Sequence, residues 1–265
     1  MLSFLRRIRH SLVTSGNTGR YLAYAVGEVA LVVIGILIAL QINNWTEDKK
    51  ERKWEQYYLD RLTRDLNGDL DEFEVTLERN YNRILIGNHL LNQLEESDYM
   101  KYFWPQWVGQ AMFEKFPSQD SLTKILPLQN QWRMLARKPR TFTARSTSYE
   151  EMLSSGRFET IRSDSLREAL SEYYWRIDDV SQQQAVLLKS NESYLAVLSE
   201  QKLPIVLKDD MTDLKSLLKD QESYKAAMIK LMSNLWFTEL LYYWSVKPNA
   251  EKLVDRIEQY QKEAF

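Results

Sequence analysis

The chain has 265 residues, of which 35 are Lys or Arg, 37 are Asp or Glu and none is Cys. A net charge of −2 with both signs intermixed excludes the basic excess of most nucleic-acid-binding surfaces, and a mean hydropathy of −0.46 excludes a protein that crosses a membrane many times. The lack of cysteine excludes disulfide scaffolds, Cys-ligated metal centres and thiol nucleophiles, and it names no compartment.

The first predicted element is a transmembrane helix over residues 21–45. The first 45 residues contain four arginines and one acid, and the stretch 29–40 is apolar without interruption. At about 1.5 Å per residue, residues 24–45 rise roughly 32 Å, close to the thickness of the hydrocarbon core, and aromatic residues stand at both ends. A cleaved signal peptide fits less well, because the polar lead is long and residues 39–41 lack a small-x-small cleavage site.

A basic leader, residues 1–20, sets the predicted orientation. Cations that flank a span favour the cytoplasmic side, so we predict a cytoplasmic N-terminus and place residues 46–265 outside, in the periplasm of a Gram-negative cell. The predicted location is therefore a bacterial inner membrane. Since the whole chain carries −2 and the first 45 residues carry +3, the outer part carries −5.

The span has a specific sequence. Behind Gly19-Arg20-Tyr21, residues 24–45 are YAVGEVALVVIGILIALQINNW. This opening resembles a Bacteroidota family of single-pass membrane proteins of unknown function, whose members resemble one another most in this anchor and have a helical ectodomain. The resemblance is specific over residues 1–60. It implies location and lineage, and it implies no activity because the family has none assigned.

Three residues of the anchor share one helical face. Gly35 follows Glu28 by seven residues and Ala39 follows by four more, so all three lie at nearly the same helical angle. A small-xxx-small pair lets a second helix approach closely, and a carboxylate on the same face can bond to that helix. We predict a helix–helix interface at Glu28, Gly35 and Ala39. The alternative is that Glu28 only reaches the cytoplasmic headgroups.

Residues 46–96 are predicted to continue the anchor as one long juxtamembrane amphipathic helix. Helix breakers are scarce there, since only four of the chain's eight glycines lie beyond residue 45 and proline is absent until Pro105. The apolar stripe passes Gly68 without losing phase and requires partner helices to cover it. It comprises Trp54, Tyr58, Leu62, Leu66, Leu70, Phe73, Leu77, Tyr81, Ile84 and Leu91.

The partner helices are predicted in residues 163–265. Ser163 or Asp164 can cap a helix whose inward positions alternate four and three residues apart, as in a coiled coil. Two of these positions, Gln184 and Asn191, are polar, and such interruptions usually trade stability for register or partner choice. The apolar positions are Leu166, Leu170, Tyr173, Ile177, Val180, Leu187, Tyr194 and Leu198.

Two further helices complete the predicted fold. One covers residues 223–245, and Pro248 starts the last one, as proline often does in a first helical turn. The predicted fold class is therefore all-α: an N-terminal transmembrane helix that continues into a long amphipathic helix, packed in an extracytoplasmic antiparallel helical bundle.

Residues 97–162 interrupt this pattern and are predicted to form an insert of short helices, because four prolines recur there at intervals of 10 to 12 residues. Short helices fit residues 106–116 and 128–136, and Ser146 or Thr147 can cap a third. The aromatic residues of the insert either pack it onto the bundle or form a partner surface. The candidates for that surface are Trp104, Trp107, Phe113 and Trp132.

We predict no catalytic residue, no metal site and no cofactor. The two histidines, His10 and His89, are predicted on opposite sides of the membrane, and zinc, phosphate-loop and dinucleotide motifs are absent from the sequence. Residues 65–71 hold three aspartates, as a calcium loop does, but the position of the glycine and the missing final Glu do not fit. We predict a solvated helix face there.

These features favour an accessory or scaffold subunit of a larger membrane assembly. Its predicted partners are other membrane proteins or a second copy of the chain. The alternative is a single-pass receptor that senses a ligand or an envelope component and signals through a partner, because the short leader cannot form an output domain. A carboxylate-based hydrolase is the least favoured hypothesis, since neighbouring acids on a helix point about 100° apart.

Overall fold

The computed structural model describes residues 18–94, 126–208, 211 and 213–265. Within these residues the structure is helical and contains no strand, which confirms the all-α prediction. A 3₁₀ turn, Phe158–Thr160, precedes the fourth helix. The α-helices of the described residues are α1 Thr18–Leu94, α2 Leu128–Ala136, α3 Thr147–Ser154, α4 Asp164–Glu200, α5 Leu214–Leu217, α6 Gln221–Leu241 and α7 Lys247–Ala264.

The chain divides into two compact units, and the first, Met1–Tyr57, holds the beginning of α1. Among the described residues, α1 alone is long and apolar enough to cross a membrane. Every residue from 29 to 40 is exposed in the single chain, as is required of side chains that contact lipid. Length and composition of the helix therefore agree with the predicted span.

The second unit, Tyr58–Phe265, is a helical bundle. Its part of α1 buries the predicted apolar stripe from Tyr58 onwards, except that Leu70 is only half-buried; Trp54, which lies in the first unit, is half-buried too. The helix continues through Gly68 without a break, and a Cβ there would lie 1.8 Å from Nη1 of Arg145 as it is placed. The glycine thus lets the Arg145 side chain cross α1 closely.

The second long helix of the bundle is α4. It begins where predicted, because the Ser163 hydroxyl accepts a hydrogen bond from the backbone N–H of Leu166 at 3.3 Å. The predicted inward positions are buried, except for Ile177, which is half-buried. The helix ends just before Lys202, whose φ of 58° lies in the left-handed region that often terminates helices.

Contacts along their lengths show that α1 and α4 run in the same direction. The Tyr173 hydroxyl donates a hydrogen bond to Asp69 at 2.8 Å. Further along both helices, Tyr194 interacts electrostatically with Arg83. Later positions of α1 therefore meet later positions of α4. These two helices are parallel neighbours within the bundle, a detail that the prediction of an antiparallel bundle did not include.

The last two helices, α6 and α7, run in the direction opposite to α1. A π-helical turn, Tyr242–Val246, joins α6 to α7, and Pro248 lies in the first turn of α7 as predicted. The side chain of Asn80 donates to Glu239 of α6 at 2.8 Å, and Gln261 of α7 donates to Asp60 at 2.7 Å. Later residues of this run meet earlier residues of α1, so α6 and α7 are antiparallel to it.

Residues 137–163, the return segment, carry the chain back along α1 and make the parallel arrangement possible. Near the middle of the bundle part of α1 the backbone N–H of Arg140 donates to Asn80 at 3.2 Å, and at the start of that part Tyr58 donates to Glu151 at 3.0 Å. The segment contains α3, which begins directly after Ser146, although the Ser146 side chain makes no capping hydrogen bond. Within the predicted insert, the helix over residues 106–116 lies outside the described residues.

Candidate functional site

The anchor face predicted from the sequence lies on α1 in the first unit. Glu28, Gly35 and Ala39 fall within about 40° of one another around the helix axis. Gly35 and Ala39 are exposed, and a Cβ added at Gly35 would meet no atom within 4 Å. Glu28 is half-buried and takes part in an interaction of its own. The two small residues therefore leave a shallow surface that the backbone of a second helix can approach.

The two polar seam positions, Gln184 and Asn191, are both buried in the bundle. The side-chain amide of Gln184 donates to the carbonyl of Phe142 in the return segment at 3.0 Å. The side-chain carbonyl oxygens of both residues accept no hydrogen bond within the described part of the chain. Unsatisfied polar atoms in the interior of a bundle cost stability, whereas the hydrogen bond of Gln184 favours the packing arrangement in which it forms.

The proposed aromatic surface needs a correction at Trp132. This side chain is fully buried, its indole N–H donates to the Pro204 carbonyl at 3.0 Å, and its ring stacks on Tyr224 with centroids 5.8 Å apart. Trp132 is buried because α2 is amphipathic and turns this side inward, together with Leu135. It cannot contribute to a partner surface. The other three candidates, Trp104, Trp107 and Phe113, lie outside the described residues.

The expectation of a solvated face at residues 65–71 is wrong for Asp69, which is completely buried. Its carboxylate accepts hydrogen bonds from the backbone N–H of Arg145 and from the Tyr173 hydroxyl, both at 2.8 Å. Burial raises the pKa of Asp69, and these hydrogen bonds oppose the increase. The available signal was spacing, because Asp69 lies four residues before Phe73 on the buried face.

A second buried acid, Glu239 of α6, was not singled out by the sequence. It has no exposed surface, and Asn80 donates a hydrogen bond to it at 2.8 Å. Burial raises the pKa of Glu239 well above its ordinary value, against the opposing effect of this hydrogen bond. Burial therefore favours the neutral form of this side chain. Asp69 and Glu239 are structural acids that connect helices.

A cavity of about 440 Å³ opens between the return segment and α4. The rings of Tyr149 and Tyr174 stack at its edge with centroids 4.1 Å apart. Two carboxylates, Glu150 and Asp178, also line it. Aromatic faces beside hydrogen-bonding groups are typical of small-molecule sites, so this cavity is a candidate ligand site.

The described residues hold one histidine, His89, and no cluster of the side chains that bind metals. There, no three His, Asp or Glu side chains are grouped so as to hold a metal ion. His89 is half-buried on α1, its Nε2 lies 2.9 Å from the Gln93 amide nitrogen, and burial lowers its pKa. Such a histidine, paired with a neighbour one turn away, has the environment of a structural residue.

Comparison with known proteins gives a match to a family of unknown function over part of the chain. Residues 28–126 match the model of a family of unknown function (DUF6090), which is less than half of the chain. No curated protein and no solved structure matches. The matched stretch begins at Glu28, so it includes the whole anchor face and the bundle part of α1.

Proposed function

We propose that this chain is a single-pass protein of a bacterial inner membrane that acts as an accessory or scaffold subunit of a larger membrane assembly. The N-terminus is cytoplasmic, the bundle is periplasmic, and the lineage is Bacteroidota. The observation that carries the proposal is the open face formed by Gly35 and Ala39 beside Glu28. In lipid, helices associate through close packing of small residues and through polar contacts, and this face offers both.

The bundle supports a non-catalytic role. Its buried polar residues bind other parts of the same chain: Asp69 holds the return segment, and Glu239 meets α1. These contacts build a rigid domain attached to a membrane helix. We therefore propose no enzymatic activity. Glu150 and Asp178 line one cavity. Glycoside hydrolysis by the wild type that is lost in the variant Glu150→Gln/Asp178→Asn would contradict this proposal.

The direct test is recovery of partners from native membranes with a matched pair of substitutions. Ala39→Leu places a bulky side chain on the proposed face, whereas Ala30→Leu makes the same change about 180° around the helix. We expect Ala39→Leu to reduce partner recovery severalfold, because close approach of the helices is lost, and Ala30→Leu to leave it unchanged. Quantitative mass spectrometry of the purified complexes measures the difference.

Two further variants sharpen this test. Gly35→Leu should act like Ala39→Leu, and Glu28→Ala should weaken the assembly if its carboxylate bonds to the partner. A wild-type chain that is strictly monomeric and purifies alone would contradict the scaffold role. Equal losses of partner recovery from Ala39→Leu and Ala30→Leu would contradict the proposed interface on this face of the helix.

The receptor hypothesis is the second candidate, and the cavity beside Tyr149 and Tyr174 is the observation in its favour. A receptor would bind a small molecule there and pass the signal to a cytoplasmic partner. A screen for compounds that raise the melting temperature of the full chain distinguishes the two roles, because ligand stabilisation is expected of a receptor and not of a scaffold.

A further inference from the structure

A strongly basic cavity lies between α1 and the beginning of the return segment. Its volume is about 370 Å³. Two asparagines and Met134 line it beside the cations, and no acidic side chain of the described residues does so. The cations that line it are Arg79, Arg83, Arg137, Lys138 and Arg140.

Arg83 builds this cavity by holding the end of α2. Its guanidinium donates to the carbonyls of Leu135 at 3.0 Å, of Lys138 at 3.1 Å and of Arg137. The last carbonyls of a helix carry partial negative charge, so a cation is favoured there. The contact places Arg137 and Lys138 beside α1, where Arg79 lies one turn before Arg83.

Two arginines of the cavity lining each have a buried donor without an acceptor in the described residues. Arg83 is only 7% exposed, yet its Nε makes no hydrogen bond within the described residues. Arg140 is paired with Glu72 at 2.6 Å through Nη2, and its buried Nε likewise has no acceptor there. A buried donor without an acceptor costs stability.

The charge of the cavity is largely uncompensated. Of its five cations, Arg140 alone has an ion pair with a described acid. Burial lowers the pKa of Arg83 to about 10, with the nearby Arg137 acting in the same direction, and the side chain remains protonated at neutral pH. Arg79, Arg137 and Lys138 are exposed and free to turn towards a ligand. Such a concentration of like charge attracts anions.

We propose that this cavity binds a phosphate-bearing anion. Guanidinium groups match tetrahedral oxyanions through paired hydrogen bonds, and the donors here come from two separate segments of the chain, so they can surround a group with several acceptor oxygens. A single phosphate or pyrophosphate group fits within the available volume. The source is either a soluble phosphate compound or the headgroup of an anionic phospholipid. This binding role does not depend on the scaffold role.

The test uses the full chain in a neutral detergent and inorganic pyrophosphate as the probe, at low ionic strength. Isothermal calorimetry compares the wild type with the triple variant Arg79→Gln/Arg137→Gln/Lys138→Gln. These three side chains are exposed, so their removal should leave the melting temperature of the unliganded chain unchanged. We expect the Kd to rise by at least about tenfold, because several charge-assisted hydrogen bonds are lost.

The matched control removes the same charge elsewhere on the bundle. Lys189→Gln/Lys230→Gln/Lys262→Gln changes three exposed lysines that do not line the cavity. We expect the Kd of this variant to stay within about twofold of the wild type, since distant exposed charges are screened. An equal loss in both triple variants, or an absence of binding in the wild type to every probe used, would overturn the proposal.

Short-chain lipids identify the source of the anion. Dihexanoyl phosphatidylglycerol is titrated below its micelle concentration, with dihexanoyl phosphatidylcholine as the neutral counterpart. Binding of pyrophosphate without binding of phosphatidylglycerol assigns the site to soluble phosphates. Binding of phosphatidylglycerol over phosphatidylcholine, lost in the cavity variant and kept in the control, assigns it to an anionic headgroup.

Discussion

Asn80 shows how one polar side chain organises the centre of the bundle. Its amide nitrogen donates to Glu239 at 2.8 Å and to the Arg140 carbonyl at 2.9 Å, and its carbonyl oxygen accepts from the Arg140 backbone N–H at 3.2 Å. A residue of α1 thereby holds both α6 and the return segment. Hydrogen bonds of this kind are strengthened by the low polarity around them, and they favour one arrangement of helices over others.

Glu239 makes the stability of the protein depend on pH. Burial raises its pKa in the folded protein well above 4.5, the ordinary value, so the folded chain keeps a proton that the unfolded chain releases above pH 4.5. The free energy of unfolding therefore falls as the pH rises from about 4.5, the pKa in the unfolded chain, to the raised pKa in the folded protein. Glu239→Gln keeps an acceptor for Asn80 and cannot ionise. We expect its stability advantage over the wild type to grow with pH, by up to about 1.4 kcal/mol per pH unit.

Denaturant unfolding of the full chain in detergent, followed by circular dichroism between pH 5 and 8, measures this advantage. Glu192→Gln serves as the control, because it removes an exposed acid from α4. A constant difference between Glu239→Gln and the wild type across this range would show that Glu239 is ionised in the folded protein.

Single residues were the hardest features to predict from the sequence. Trp132 and Asp69 were each assigned to a surface and are each buried. Periodicity shows which face of a helix is apolar, but it does not show which polar residue on that face will find a partner. Asp69 is buried because Tyr173 and the Arg145 backbone lie opposite it, and that meeting depends on the path of the return segment.

The start of α4 depends directly on a local signal. The Ser163 hydroxyl satisfies the Leu166 N–H at the start of the helix. Ser163→Ala should lower the free energy of unfolding by about 1 kcal/mol, and Ser163→Asp should restore it, because aspartate caps equally well. Thermal unfolding of the full chain tests both variants.

The control for this prediction is Ser193→Ala in the interior of the same helix. Ser193 is half-buried, and its hydroxyl donates to the Lys189 carbonyl one turn earlier, a bond that adds little to a helix. The cap assignment would fail if Ser193→Ala destabilised the protein as much as Ser163→Ala.

Helix boundaries followed from local chemistry, whereas helix direction did not. The start of α4 at Ser163, the extent of α2 and the position of Pro248 in the first turn of α7 agree with prediction because caps and proline act within one turn. The parallel pairing of α1 with α4 depends on the return segment, which has little regular structure and no periodic pattern. The sequence therefore contained no comparable signal for it.

The orientation of the whole molecule is testable because the chain has no cysteine. Single cysteines introduced as Ser3→Cys and Lys252→Cys mark the leader and the exposed surface of α7. In intact spheroplasts a membrane-impermeant maleimide should label Lys252→Cys and should not label Ser3→Cys. After permeabilisation both should react. The reverse pattern would place the bundle in the cytoplasm, against the rule that cations remain on that side.

The sequence by itself determined the apolar span, the helical class and most helix ends, because these depend on hydrophobicity, period and capping within a few residues. The tertiary structure alone decided which polar groups meet. The five cations of the basic cavity are spread over residues 79–140, and they come together because the return segment turns back along α1. Charge that is balanced over the whole chain is thereby concentrated in one place.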